Sequence, residues 1–174
     1  MPRKVAGVQR ACLVTLLAAM VLSSAPVALA GEGPAGAVGH TAPAFSRMDL
    51  AGRRVRLTSY RGKVVLLNFW ATWCGPCLTE MPRFVEWQRQ MAGLQVVGVS
   101  MDDEAAPVRA AYAKYKLNYP VVMGDAALGR LYDGVYGLPV TLVIDRAGVV
   151  RFRHRGAADL PVLHREIEGL MARP

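Results

Sequence analysis

Hydrophobic residues along this chain cluster in short runs that predict β-strands. The strongest run, Val-Val-Leu-Leu-Asn-Phe at residues 64–69, is apolar on both faces of a strand. Such a pattern is typical of a central strand whose sheet is covered on both sides. Further apolar runs predict strands at residues 94–100, 121–123, 139–144 and 149–153.

Segments with helical spacing separate these strands. The segment after residue 74 carries a stripe of Leu78, Met81 and Val85, and Pro82 inside it predicts a kink. A second helix is expected to begin with the acidic residues 102–104 in its first turn, where the helix dipole favours negative charge. We expect two further helices, at residues 126–132 and 160–170.

The order of these elements predicts an α/β fold. The strand at 63–70, the helix after it and the strand at 94–100 form a βαβ unit, which is right-handed with parallel strands in nearly all proteins. The last two strands are separated by a short turn and are expected to pair antiparallel. Residues 45–57 predict a small hairpin that lies beside the main sheet.

The first 30 residues have the pattern of a secretory signal peptide. Three basic residues precede an apolar run at 11–21, and Ala-Leu-Ala at 28–30 matches a small-x-small cleavage site. The alternative is an uncleaved membrane anchor, because residues 11–30 are nearly long enough to span a bilayer. Either interpretation predicts an exported protein.

The rest of the chain is expected to form one domain. A chain of 174 residues with 53% hydrophobic content can bury an ample core. Residues 31–39 are rich in Gly and Ala and predict a flexible tether. We therefore assign the folded domain to residues 40–174.

The charge of the chain gives no sign of a nucleic-acid partner. The formal net charge is +8, and the three basic residues of the first 30 leave 18 basic and 13 acidic residues, or +5, in the remainder. These basic residues are scattered and lack the clustered aromatic residues of a nucleic-acid surface. We interpret them as solvated surface.

The cysteine count points to redox chemistry. Once residues 1–30 are removed, Cys74 and Cys77 are the remaining cysteines. A structural zinc site needs four ligands, and no pair of histidines with suitable spacing is available to complete one. A structural disulfide across two residues would close a very small loop and add little stability. We therefore interpret the pair as a redox dithiol.

Cys74 falls where the central strand is followed by a helix. The unpaired N–H groups and the positive dipole at a helix N-terminus stabilise a thiolate. Cys74 is therefore the candidate nucleophile and Cys77 the resolving thiol. We expect Cys74 to be exposed, with a pKa below that of a free thiol, and Cys77 to be buried and less acidic.

Several motifs together resemble the exported TlpA/ResA-type thiol-disulfide oxidoreductases of the thioredoxin superfamily. They are Phe-Trp-Ala-Thr-Trp-Cys-Gly-Pro-Cys at 69–77, Glu-Met-Pro at 80–82, and Leu-Pro-Val-Thr at 138–141 before the last two strands. The resemblance covers about residues 38–171. It implies a thioredoxin fold: a mixed central sheet flanked by helices, with an N-terminal β-hairpin and an insertion after the second core strand.

The resemblance also implies roles for residues near the dithiol. It implies that Pro139 is cis and faces the cysteines, so that Leu138 and Pro139 form an edge for an extended substrate. It implies that Glu80 assists proton transfer at the cysteines. By residue type alone, Pro139 could equally be an ordinary proline at a strand start, and Glu80 would be a solvated helix acid. Further substrate-contact candidates are Trp73, Gly75 and Pro76.

The activity implied by the resemblance is reduction of protein disulfides in the cell envelope, with no metal and no organic cofactor. Electrons would come from a membrane thiol transporter. The usual substrates are oxidised protein cysteines, including the Cys-x-x-Cys-His of apocytochrome c. We expect a monomeric protein, located in the bacterial periplasm or on the outer face of the cytoplasmic membrane.

Three other functions remain open. A peroxiredoxin-like peroxidase would need Pro-x-x-x-Thr-x-x-Cys, but Thr72 stands two residues before Cys74 rather than three. A Sco-like copper chaperone, which is a binding module, would need Cys-x-x-x-Cys and a late histidine, for which His154 is a poor substitute. A disulfide-forming oxidant usually carries a histidine in the dipeptide, where this chain has Gly75-Pro76.

Overall fold

The computed structural model describes residues 36–172, and the predicted signal peptide and residues 31–35 of the predicted tether lie outside them. Residues 36–39 contact the folded domain. Gly36 is buried against Tyr132, and the N–H of Gly39 donates a hydrogen bond to the carbonyl of Val150 at 2.8 Å. Packed structure thus extends four residues into the stretch predicted as a tether.

The predicted N-terminal hairpin is confirmed, with short strands. Strands β1 (Ser46–Met48) and β2 (Arg54–Arg56) pair antiparallel in a separate two-stranded sheet. A 3-10 helix at Leu57–Tyr60 follows. The N–H of Leu50 donates to the carbonyl of Val121, which joins the hairpin to an edge strand of the main sheet.

In the part of the chain that the structure describes, the main sheet has five strands in the order β5-β4-β3-β6-β7. Every residue of the central strand is buried, as its sequence predicts. It pairs parallel with β4, as expected for the βαβ unit, and antiparallel with β6. The five strands are β3 (Val64–Trp70), β4 (Leu94–Ser100), β5 (Val121–Met123), β6 (Val140–Ile144) and β7 (Val150–Arg155).

Within residues 36–172, four α-helices cover this sheet and enclose two apolar clusters. On one face, Leu66 and Trp70 of β3 pack with buried residues of α1, α2 and α4. On the other face, Leu67 and Phe69 pack with α3 and with the hairpin region. The helices are α1 (Gly75–Gln90), α2 (Ala105–Lys114), α3 (Ala126–Leu131) and α4 (Leu160–Met171).

The expectation that acidic residues 102–104 form the first turn of a helix is wrong. Helix α2 begins at Ala105, its N-cap is Glu104, and no side chain caps it. Asp102 is buried directly after β4, and its carboxylate binds Thr72 and Ser100. Its hydrogen-bond partners therefore come from the neighbouring strand ends rather than from the helix.

Helix α1 continues through Pro82. No helix within residues 36–172 is long and apolar enough to cross a membrane.

Candidate active site

The dithiol lies where the central strand ends and α1 begins. Strand β3 ends at Trp70, and Cys74 is the N-cap residue of α1. Cys74 Sγ accepts a hydrogen bond from the backbone N–H of Cys77 at 3.3 Å. A sulfur atom at this position lies next to the unpaired N–H groups and at the positive end of the helix dipole, and both stabilise a thiolate.

Cys74 and Cys77 form a disulfide, with an S–S distance of 2.03 Å and Cα atoms 5.3 Å apart. Cys74 is 6% exposed and Cys77 is 1% exposed. The expectation of an exposed Cys74 is therefore wrong for this state, although Cys74 remains the more accessible thiol. Each bonded sulfur covers the other, and the first turn of α1 lies against Cys74. The lowered pKa expected for Cys74 applies to the reduced protein, in which both thiols are free, and it stays a prediction.

The residues on either side of the buried Cys74 are exposed. Trp73 is 70% exposed, and Gly75 and Pro76 are exposed as well. Trp70, in contrast, is fully buried in the core. The residues predicted to contact substrate in this segment are thus accessible from outside.

The Leu138–Pro139 peptide bond is cis, as the resemblance implied. Pro139 is buried and Leu138 is half-buried. Strand β6 begins at the next residue, Val140, which is paired with Phe69 of β3. This register places Pro139 beside the end of β3 that leads into the Cys74 loop.

Glu80 is buried, so its interpretation as a solvated helix acid is wrong. Its side chain is 3% exposed and lies one helical turn after Cys77. Glu80 Oε1 accepts a hydrogen bond from the N–H of Ala158 at 2.7 Å, whereas Oε2 is buried without a partner among the described residues. Burial raises the pKa of Glu80, and the Ala158 hydrogen bond and the charge of His154 offset part of this rise.

A second buried carboxylate supports the loop before Cys74, and the sequence analysis missed it. Asp102 accepts hydrogen bonds from the Thr72 N–H at 3.0 Å, the Thr72 hydroxyl at 2.5 Å and the Ser100 hydroxyl at 2.7 Å. The signal that could have identified it is Ser-x-Asp at the end of a buried strand. An acid at such a position needs donors from neighbouring elements.

His154 and Glu166 were also not assigned from sequence. His154 Nε2 lies 2.7 Å from Glu166 Oε2, joining β7 to α4.

Within residues 36–172 no group of three or more His, Cys, Asp or Glu side chains is placed to hold a metal ion.

Comparison with known proteins agrees with this geometry. Residues 38–153 match the AhpC/TSA family. The chain is 42% identical over 126 residues to the thiol-disulfide oxidoreductase ResA of Geobacillus thermodenitrificans (strain NG80-2), covering 69% of this chain and 70% of that protein. It is 38% identical over 122 residues to the thioredoxin-like protein YneN of Bacillus subtilis (strain 168), covering 68% and 71%.

A solved structure confirms the predicted thioredoxin fold. It is a thiol:disulfide interchange protein of the thioredoxin family from Chlorobium tepidum TLS, with a TM-score of 0.71 and 28% identity over 82% of this chain and 100% of that chain. The chain therefore belongs to the thioredoxin-like AhpC/TSA family and is a thiol-disulfide oxidoreductase.

Proposed function

We propose that this protein reduces protein disulfides in the cell envelope through its Cys74–Cys77 dithiol. The observation that carries the proposal is the placement of Cys74 Sγ at the N-terminus of α1, where the N–H of Cys77 points at it. Cys74 is the more accessible of the two thiols. A thiolate stabilised at this position is a nucleophile near neutral pH.

The reaction proceeds in two exchange steps. In the first, the Cys74 thiolate attacks one sulfur of a substrate disulfide and forms a mixed disulfide, and the other substrate sulfur leaves as a thiolate. In the second, Cys77 loses its proton and attacks Cys74 Sγ, which releases the second substrate thiol. Two electrons have then moved from the dithiol to the substrate, and the enzyme holds the Cys74–Cys77 disulfide present in the structure.

Glu80 is proposed as the group that accepts the proton of Cys77 in the second step. The carboxylate lies on the same helix face one turn later, and burial raises its pKa. A carboxylate with a raised pKa is a better proton acceptor near neutral pH than a solvated one. Glu80→Gln removes this basicity with little change in shape and should flatten the acid limb of the pH–rate profile. An unchanged profile would remove Glu80 from the mechanism.

The substrate is proposed to dock on the exposed residues beside the disulfide. Trp73, Gly75 and Pro76 offer an accessible surface there, and Leu138 and Pro139 lie beside the end of β3. An extended segment carrying a disulfide could contact both sets of residues. The half-buried Leu138 supplies an apolar contact.

The direction of the reaction is proposed to be reductive. Gly75-Pro76 places no charge between the thiols, so we expect a potential near that of reducing thioredoxins, roughly −270 mV, rather than roughly −120 mV as in strong oxidants. In the proposed exported location, either in the periplasm or anchored on the outer face of the cytoplasmic membrane, a reductant requires a membrane thiol donor. A redox titration decides the direction, and a midpoint near the oxidant end would favour disulfide formation.

The proposed substrates include the oxidised Cys-x-x-Cys-His of apocytochrome c, with the protein acting as a monomer. The test is reduction of a peptide disulfide of that sequence by the reduced protein. The Cys77→Ser variant should accumulate a mixed disulfide with the peptide, whereas Cys74→Ser should form none. Accumulation with Cys74→Ser instead would reverse the two roles. Peroxide turnover faster than peptide reduction would support the peroxidase alternative.

A further inference from the structure

Residues 133–138 form a loop between α3 and β6 that ends at the proposed substrate-contact residue Leu138. The loop turns sharply, because Asp133 and Gly134 both have positive φ angles, of 55° and 73°. A Cβ atom on Gly134 would lie 2.1 Å from the ring of Tyr136, so this position needs glycine for space as well as for conformation. The 133–138 loop therefore has a specific folded shape.

The residues at both ends of the loop are fixed to the domain. Before it, Tyr132 is fully buried, and its hydroxyl donates to the carbonyl of Pro43 at 2.6 Å. After it, the carbonyl of Pro139 accepts a hydrogen bond from the N–H of Gly156, directly after β7, at 2.8 Å. The contacts made by the loop itself then control how rigidly Leu138 is presented to a substrate.

Among the described residues, two arginines of β7 make the only hydrogen bonds and ion pairs to the 133–138 loop. Arg153 Nη2 donates to the carbonyl of Gly134 at 3.2 Å. Arg153 Nη1 lies 3.9 Å from Asp133 Oδ2, and Arg155 Nη2 lies 3.0 Å from the same oxygen. Strand β7 therefore holds the loop through these two side chains.

The two arginines differ in burial. The side chain of Arg153 is 7% exposed, whereas that of Arg155 is 55% exposed. An exposed ion pair such as that of Arg155 contributes little, because water and salt screen it. A buried guanidinium is costly unless acceptors surround it. Arg153 also donates to the carbonyls of Tyr132 at 2.7 Å and Gly36 at 3.4 Å, and its Nε is buried without a partner among the described residues.

We propose that Arg153 is a positioning residue for thiol exchange, which binds the carbonyls of Tyr132 and Gly134 and thereby holds Leu138 and Pro139 in place for an extended substrate. The proposal rests on the proposed docking of substrate at Leu138 and Pro139. The planar guanidinium binds several carbonyls at fixed angles, which a lysine ammonium on a flexible stem does not reproduce. A preformed edge loses less conformational entropy when a peptide binds to it. Arg153 therefore acts on substrate binding rather than on the chemical step.

The test compares Arg153→Lys with Arg151→Lys in reduction of the Cys-x-x-Cys-His peptide. Arg151 is the matched control, because it lies two residues earlier on β7 and pairs with Asp145, after β6, rather than with the loop before β6. Arg153→Lys should raise KM for the peptide about tenfold with kcat nearly unchanged, the result expected when binding alone is weakened. Oxidised glutathione, which is too small to need the edge, should be reduced as before. Arg151→Lys should change none of these values.

Three results would overturn the inference. They are an unchanged peptide KM in Arg153→Lys, an equal rise in Arg151→Lys, and an equal loss of rate with peptide and glutathione, which would show damage to the dithiol or the fold. If the wild type fails to reduce the peptide, the proposed direction of the reaction fails instead. The same KM comparison is then made with oxidised protein and reduced peptide, because the edge binds the peptide whichever way the electrons move.

Gly134→Ala covers the case in which Arg153→Lys fails to fold. The added methyl group would collide with the Tyr136 ring and disfavour the positive φ, so it disturbs the same loop without a change in β7. It should raise the peptide KM in the same way, and an unchanged KM would overturn the inference. Where both variants fold, the double variant should be no worse than the more affected single variant, because both act through one loop. Additive losses would contradict the proposal.

Discussion

The carboxylate of Asp102, at the end of β4, accepts hydrogen bonds from both the backbone N–H and the hydroxyl of Thr72, two residues before Cys74. The hydroxyl of Ser100 donates to the same carboxylate. Three donors on one buried carboxylate hold the loop between β3 and α1 against the adjacent strand. The position of Cys74 at the start of α1 therefore depends on a side chain 28 residues later in the chain.

Removing the Thr72 hydroxyl tests this relationship. Thr72→Val keeps the shape and the N–H bond but loses the hydroxyl bond to a charged acceptor, so it should lower the free energy of unfolding by about 1.5–3 kcal/mol. Thr72→Ser keeps the hydroxyl and is the matched control. Urea denaturation measures both stabilities, and alkylation of the reduced protein reports the accessibility of Cys74. Equal stability of the two variants would show that the hydroxyl bond contributes nothing.

Glu80→Gln should change how stability depends on pH. Because burial raises the pKa of Glu80, the folded state favours the neutral acid. The stabilising contribution is present below the ordinary carboxyl pKa and is lost as pH rises through the folded-state pKa. Glutamine does not titrate, so the stability of Glu80→Gln relative to wild type should increase from pH 4 to pH 8.

Glu86 on the same helix provides a control with the opposite sign. Its hydrogen bond with Arg83 lowers its pKa. The contribution of Glu86 to the free energy of unfolding is therefore lost as pH falls. The stability of Glu86→Gln relative to wild type should rise as the solution is made more acidic. Chemical denaturation at several pH values measures both slopes. Parallel curves for wild type and Glu80→Gln would contradict the raised pKa.

Trp73 should matter for protein substrates and not for stability. Because its side chain is 70% exposed, Trp73→Ala should change the free energy of unfolding by no more than about 0.5 kcal/mol. Loss of a large aromatic contact beside Cys74 should slow reduction of the peptide disulfide roughly tenfold, while a small disulfide such as oxidised glutathione is reduced nearly as before. Met48→Ala, at an exposed apolar residue of β1, is the control. Equal loss on both substrates would argue against a docking role for Trp73.

Asp49 should anchor the N-terminal hairpin. It is buried and accepts hydrogen bonds from the N–H groups of Ala51 and Arg53 and from Arg53 Nε. Burial by itself would raise the pKa of Asp49, but these hydrogen bonds outweigh it and hold the pKa below the ordinary value. Asp49→Ala should cost about 1–3 kcal/mol at neutral pH. This contribution is present above the ordinary carboxyl pKa and is lost as pH falls through the lowered one, so the two proteins should converge in acid. If the difference in free energy of unfolding between wild type and Asp49→Ala did not depend on pH, the loss of stability would be due to packing alone.

The sequence by itself determined the order of the elements and the chemistry of the dithiol. The apolar run of β3, the helical stripes and the turns are local patterns of a few residues, and the strands and helices lie close to where those patterns place them. The Cys74–Cys77 spacing and its position between a strand and a helix are equally local. Such features are set by backbone geometry and periodicity, which neighbouring residues control.

Only the tertiary structure decided which polar side chains are buried and what they contact. Glu80 has the sequence context of a surface helix acid, and its burial depends on Ala158, 78 residues later. Asp102 has the context of a helix start, and its partner is Thr72, 30 residues earlier. His154 and Glu166 meet because α4 packs across β7. These contacts arise when separate elements pack together, and burial then determines the protonation and hydrogen bonding of each group.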